Sequence, residues 1–240
     1  MNKNQSSFNH NKSMRVGAFI AIWTLAFCLP LDLHAAFLSV DFNRSDSPNQ
    51  AGFQPFVWNG VGGVSQSVTY TTTGGELLTV SLTNDYDAFF FAGAPPNNPP
   101  AFTYSDLYTD GVVGNPSFTF TLSGPAIHPG VLYDLTFYGW VDNASVNQTE
   151  VYSPIGNTSG TPATEASFGG VGPFFNGQYA AIGQFSAPDN SLEFRVSFNN
   201  DLGGPVPRAL LNGFEIAPEP SAATLLGLTG LALLRRRNRA

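Results

Sequence analysis

The chain has 240 residues, with 10 lysines and arginines against 17 aspartates and glutamates, and one cysteine, Cys28. From 36 to 217 only Arg44, Arg195 and Arg208 face fifteen carboxylates, a formal charge of −12, which repels phosphate backbones and excludes nucleic acid and anionic membrane surfaces as partners. The same stretch holds no cysteine and only His128, so disulfides and the common His- or Cys-rich zinc sites are excluded and the fold must rest on buried apolar surface.

In chain order, Lys3, Lys12 and Arg15 precede the apolar run "VGAFIAIWTLAFCLPL" (16–31), which is followed by Ala35 and Ala36. This is the order of a secretory signal peptide over 1–35, a signal helix cut between Ala35 and Ala36, and it predicts an exported chain. "LAFC" offers a lipoprotein reading at Cys28, opposed by Phe27 where a small residue is required.

Residues 36–216 form one predicted domain, since about 180 residues are ample for a single core. A first strand at 37–42 runs into "DFNRSD", whose Asp41, Asn43 and Asp46 present oxygen donors suited to a structural calcium ion, without the glycine and bidentate glutamate of an EF-hand. Trp58 follows in "FVWNG", then strands at 64–72, 76–83 and 87–92. "NDYDAFFF" carries Asp85, Tyr86 and Asp87, and "GAPPNNPP" (93–100) is a loop. "TYSDLYTDGV" (103–112), with Tyr104, Asp106 and Asp110, has the spacing of a short helix.

The strand "SFTFTL" (117–122) puts Phe118, Phe120 and Leu122 on one face and Thr119 and Thr121 on the other. His128 sits in the turn "GPAIHPG". The next strand, 132–139, leads to Trp140, Asp142 and Asn143, a ring with polar neighbours of the kind that stacks on a sugar. Sequons at Asn143, Asn147 and Asn157 mark 142–161 as an exposed loop region, and "FGGVGPFFNG" lacks the strand-to-helix setting of a phosphate loop. Strands at 180–186, 191–198 and 208–216 close the domain. Leu192, Phe194, Val196 and Phe198 point inward, with Glu193, Arg195 and Ser197 outward.

Short alternating strands without βαβ spacing predict an all-β fold of two packed antiparallel sheets, a jelly-roll-like sandwich. The segments "FLSVDFNRSDSPNQAGFQPF", "FTFTLSGPAIHPGVLYDLTFYGW" and "LEFRVSFNNDLGGPVPRALLNGFEI" resemble the sandwich domains of planctomycete-type exported proteins related to galactose-binding and malectin-like jelly rolls. That resemblance implies the fold rather than an activity.

Residues 217–240 read "APEPSAATLLGLTGLALLRRRNRA". The apolar run 222–234 is a short predicted helix that rises about 20 Å, where a bilayer core needs about 30 Å. Pro218, Glu219 and Pro220 before it and Arg235, Arg236, Arg237 and Arg239 behind it resemble the PEP-CTERM sorting signal, also named the ice-binding protein C-terminal domain. The resemblance implies transient inner-membrane retention with the arginines cytoplasmic, a cut near the tripeptide by an exosortase-type membrane peptidase, and delivery to the cell surface or an exopolysaccharide matrix. No flat threonine-repeat face that would bind ice is present in 36–217.

The expectation is therefore a non-catalytic exported surface or matrix protein whose sandwich binds carbohydrate through Trp140, Asp142, Trp58, Tyr86 and Tyr104, with calcium as the one cofactor the loops would suit. The alternative is an exported polysaccharide-active enzyme, a glycosidase or lyase, using a carboxylate pair such as Asp85 with Asp87 or Asp106 with Asp110.

Overall fold

The computed structural model describes residues 37–57, 65–83, 86–90, 103–114, 116–140, 147–168, 175–199 and 208–219, with only the backbone described at 86–90, 147, 167 and 168. The strands in these residues are β1 (Leu38–Asn43), β2 (Gln54–Val57), β3 (Gln66–Thr71), β4 (Leu77–Thr83), β5 (Tyr86–Phe90), β6 (Asp110–Gly114), β7 (Phe118–Ser123), β8 (Tyr133–Tyr138), β9 (Asn147–Ile155), β10 (Ser159–Gly160), β11 (Ala163–Phe168), β12 (Ala180–Ser186), β13 (Ser191–Asn199), β14 (Ala209–Leu211) and β15 (Gly213–Pro218). No helix occurs among the described residues. The predicted signal helix and apolar tail helix lie outside them.

One six-stranded sheet has the order β10-β12-β8-β15-β1-β2, a second β11-β9-β13-β7-β4-β3, and a three-stranded sheet β14-β6-β5. Through the series β1, β7, β8, β9, β11, β12, β13, β15 the chain moves between the two large sheets, giving the neighbour sets β1-β15-β8-β12 and β7-β13-β9-β11. That is the jelly-roll order, with β2 and the β3–β4 hairpin added at the edges. Pairing is antiparallel throughout except between β1 and β2, where Val40 pairs Gln54 and Phe42 pairs Phe56 in parallel.

Alternation explains the layers. Phe118, Phe120 and Leu122 of β7 are buried opposite Val196, Phe194 and Leu192 of β13. Rings from the facing sheets then meet: Phe137 of β8 stacks on Tyr152 of β9 at 4.5 Å, and Phe185 of β12 meets Phe194 of β13 edge-on at 4.8 Å. Each fully buried ring contributes roughly 1.5–3 kcal/mol of transfer free energy, and a favourable ring pair about 0.5–1.5 kcal/mol more. This core stands in for the missing disulfides.

Three stretches differ from the sequence reading. The predicted helix at 103–112 is a turn leading into β6: Thr109 donates its N–H (3.1 Å) and Oγ1 hydroxyl (2.7 Å) to Asp106 O, and Leu107 N–H donates to Gln50 Oε1 at 3.3 Å. Tertiary partners and the pairing of β6 between β5 and β14 override the local spacing. The strand expected over 208–216 breaks at buried Asn212. There a side chain at residue 213 would meet Leu107 Cδ1 and Val40 O, both at 2.5 Å, so only Gly213 fits. Finally, 147–155 is not an exposed loop but β9, an interior strand between β11 and β13, and Asn157 lies in the turn beyond it.

Candidate functional site

Trp140 corrects the carbohydrate expectation. It follows β8 directly and is fully buried, stacked on Tyr179 at 6.1 Å and edge-on to Tyr108 at 6.0 Å, within a second aromatic core that includes Phe53, Leu107 and Tyr138. Asn212 clamps it: Asn212 Oδ1 accepts Trp140 N–H at 2.6 Å, while Asn212 Nδ2 donates to Asp110 O at 2.6 Å. A ring without solvent exposure is no platform for a sugar. Trp58 and Asp142 lie outside the described residues, as do Asp85 and the side chains of Tyr86 and Asp87.

Tyr104 is half-buried, edge-on to Phe53 (5.3 Å) and Tyr138 (5.7 Å). Its segment is stitched to the turn before β12, since Asn176 Oδ1 accepts the N–H groups of Thr103 (2.7 Å) and Tyr104 (3.2 Å) and Asn176 Nδ2 donates to Thr103 Oγ1 (2.9 Å). Beside Asn176 stands Phe175, 53% exposed, the one aromatic ring among the exposed large apolar side chains of the described residues. Sequence reasoning passed over Phe175 because "GPFFNG" carries no alternation to distinguish an outward ring from an inward one.

The trio Asp41, Asn43 and Asp46 does not converge on a cation. Asp46 is turned out to Arg44 (2.9 Å), whereas Asp41 is fully buried, its Oδ2 accepting Gln50 N–H at 2.7 Å. With its amide nitrogen toward Asp41, Asn43 donates to Asp41 Oδ1 (2.6 Å) and Oδ2 (3.0 Å). Enclosed and already holding three N–H contacts, Asp41 shares no open site with the outward Asp46, so the three residues do not present a common oxygen cage for the ion. Burial pushes the Asp41 carboxyl up to about 8 against the lowering pull of the Gln50 N–H, and Asp110 adds to the rise. Asp110 itself is raised, chiefly by burial, with its Oδ2 accepting Arg44 N–H at 2.9 Å; Asp106, its proposed partner, is half-buried.

His128 lies exposed in its turn, with Nε2 3.0 Å from Glu76 Oε2. At the C-terminal edge, Pro218 is the last residue of β15 and pairs with Tyr133, so the strand runs two residues past the domain boundary expected at 216. Glu219 N–H donates to Leu132 O at 2.8 Å, and Glu219 Oε1 accepts from Gln184 Nε2. Pro220, Arg235, Arg236, Arg237 and Arg239 lie outside the described residues, as do Ala35 and Ala36.

Two acids escaped the sequence reading altogether. Glu150 of β9 and Glu165 of β11 are direct cross-strand partners, and both are buried. Glu150 Oε2 accepts Leu210 N–H at 3.1 Å and Oε1 accepts from Gln148 Nε2, whereas neither oxygen of Glu165 has a hydrogen-bond partner. Burial holds both carboxyls well above the usual range, and Glu150 raises Glu165 further. "NQTEVYSPI" falls in the region read as an exposed loop and "ATEASF" carries no apolar alternation, because the buried positions 150 and 165 themselves hold acids.

No family model and no curated protein matches the chain. Among solved structures it is similar to the ANX1 ectodomain from Arabidopsis thaliana, at 12% identity over 77% of this chain and 42% of that one, with a TM-score of 0.40. It is similar also to the ANXUR2 extracellular domain from Arabidopsis thaliana, at 10% identity over 76% of this chain and 41% of that one, with a TM-score of 0.38. The chain thus spans about two fifths of the length of each, and at these values the likeness bears on neither substrate nor partner.

Proposed function

We propose that this is an exported surface or matrix protein, held in the inner membrane through its tail, released near Pro218-Glu219-Pro220 by an exosortase-type peptidase, and carrying a non-catalytic sandwich that engages exopolysaccharide. The supporting observation is where the last strand stops. β15 runs to Pro218, paired with Tyr133, and Glu219 is held by Leu132 and Gln184, so the first two residues of the tripeptide lie at the C-terminal limit of the described domain. A cut just beyond it would leave every described strand in place. The acidic body and its burial-dependent core suit a soluble surface component, and the arginine cluster supplies the only dense positive charge in the chain.

The test uses two variants in the native host. Each arginine at the cytoplasmic edge resists translocation, and thirteen apolar residues hold the segment only marginally without them. Replacing Arg235, Arg236, Arg237 and Arg239 by Ser is expected to let the unprocessed chain pass through. Glu219→Ala is expected to leave full-length chain in the inner membrane, because retention survives while cleavage does not. Its side chain contacts exposed Gln184, so losing it costs the fold little. If fractionation and C-terminal mass analysis return the same normally processed product from both, the sorting reading is wrong.

A further inference from the structure

β11 is the outermost strand of its sheet and pairs with β9 alone. Its side chains give it little to hold on with. Thr164 and Ala166 face solvent, and Ala163 and Glu165 are the two described side chains that it buries. They share a face with Glu150 and Tyr152 of β9, and Tyr152 stacks on Phe137 of the facing sheet, so both point between the sheets. The larger anchor of this edge is therefore a carboxyl group, 7% exposed, with no hydrogen-bond partner for either oxygen among the described residues.

Among the described residues, the groups facing Glu165 oppose its ionisation. Directly across the ladder stands buried Glu150, at the Cβ separation of about 4.5–5.5 Å where like charges repel. The two N–H contacts that could steady a negative charge here, from Leu210 and Gln148, both go to Glu150. Beyond Glu150 in the same row comes Phe198 of β13. The other titratable groups near Glu165 are Tyr152 of β9, Tyr108 of the turn before β6 and Tyr179 before β12, all three raised chiefly by burial and further by the Glu165 charge. The Arg208 main chain, ahead of β14, is engaged with Gln148: its N–H donates to Gln148 Oε1 at 3.0 Å and its carbonyl accepts from Gln148 Nε2. No ion pair among the described residues reaches either acid. Packing beside the pair is tight, since a Cβ on Gly139 would lie 2.5 Å from Tyr152 Oη and 3.4 Å from Glu150 Cγ.

We propose that β11 is a proton-locked edge: it stays docked on β9 while Glu165 is a neutral acid, and it detaches, giving that proton to solvent, as pH rises. A neutral carboxyl tolerates a dry setting that a carboxylate does not. Once β11 lifts away, Glu165 meets water and titrates at the ordinary glutamate value of about 4.3, so opening releases one proton and alkali draws it forward. Burial, with Glu150 adding to it, holds docked Glu165 well above that value. Its contribution to docking is thus complete below about pH 4 and is lost as pH rises toward the raised, docked value. Between the two values the docking equilibrium weakens by up to about tenfold per pH unit. The device works between the sheets, independently of the tail and of any sugar contact.

Hydrogen exchange of the full chain between pH 5 and 9, with each amide's rate divided by its intrinsic rate at that pH, tests this. The amides of β11 are expected to lose protection by up to about tenfold per pH unit, ahead of those of β7 in the middle of the same sheet. Glu165→Gln keeps the shape of the neutral acid without a titrating proton, so there the extra loss in β11 should vanish. Asp41→Asn, which removes a different buried acid, should keep it. If Glu165→Gln does not unfold cooperatively, Glu150→Gln takes its place: with no charge opposite, docked Glu165 ionises at lower pH and the loss levels off earlier than in the wild type. If neither variant folds, the wild-type comparison of β11 with β7 decides. Protection of β11 that is indifferent to pH, that falls only in step with β7, or that falls equally in Glu165→Gln overturns the proposal.

Discussion

Trp140→Ala separates a core tryptophan from a sugar platform. The ring is fully buried and lies against Tyr179 at 6.1 Å and Tyr108 at 6.0 Å. The Trp140 N–H bond to Asn212 is a backbone bond and survives in alanine, so the loss is that of the ring alone. Truncating a buried tryptophan costs about 3–5 kcal/mol, and the two ring contacts place this one toward the upper end. In a domain of this size each kcal/mol moves the midpoint by about 2–4 °C, so a 4 kcal/mol loss lowers Tm by roughly 8–16 °C. Urea unfolding followed by circular dichroism, with the slope m checked for constancy, measures the change. A loss below about 1 kcal/mol together with weakened glycan binding would refute the reasoning and return Trp140 to the surface.

Phe175→Ala should behave oppositely: stability stays within about 0.5 kcal/mol of wild type because the ring is 53% exposed, while binding of the sandwich to exopolysaccharide on a glycan array falls. Unchanged binding would remove this ring from the carbohydrate reading. The Asp41 carboxyl titrates near 8 in the folded state and about 3.9 in the unfolded chain, so between these values the native state keeps a proton that the unfolded state has lost. Its contribution is full below about pH 4 and is lost as pH rises through 8. Asp41→Asn keeps an oxygen for the Gln50 N–H and should flatten the fall in stability between pH 5 and 8; parallel pH profiles for the two proteins would contradict the shift.

Alternation made most of the sandwich readable in advance. β7 and β13 appear in the sequence almost to the residue, because Phe, Leu and Val at every second position state which face is inward, and β12 has the expected bounds although its Ile182 faces outward. The jelly-roll-like class was legible from short strands without helical crossovers, while the strand order came only with the pairing. β9 and β11 were not, since their inward positions hold Gln148, Glu150 and Glu165 and a polar inner face looks like a loop.

The sequence by itself determined the fold class and the acidic character of the body, because both follow from composition and local alternation; the proposed signal segment and sorting tail are read from local order alone. The candidate sites depended on which distant strands meet. Trp140 had the neighbours of an exposed ring until the 103–108 turn and Tyr179 closed over it. Asp41 looked like a partner for Asp46, but β1 is buried on both faces from Val40 to Asn43, which encloses Asp41, while the turn after the strand sends Asp46 to Arg44. Glu150 and Glu165 are fifteen residues apart in the chain and become neighbours only through the register of β9 on β11. Periodicity tells each residue which face it takes; it carries no information about what stands opposite, and burial, pKa and ligand chemistry are set by what stands opposite.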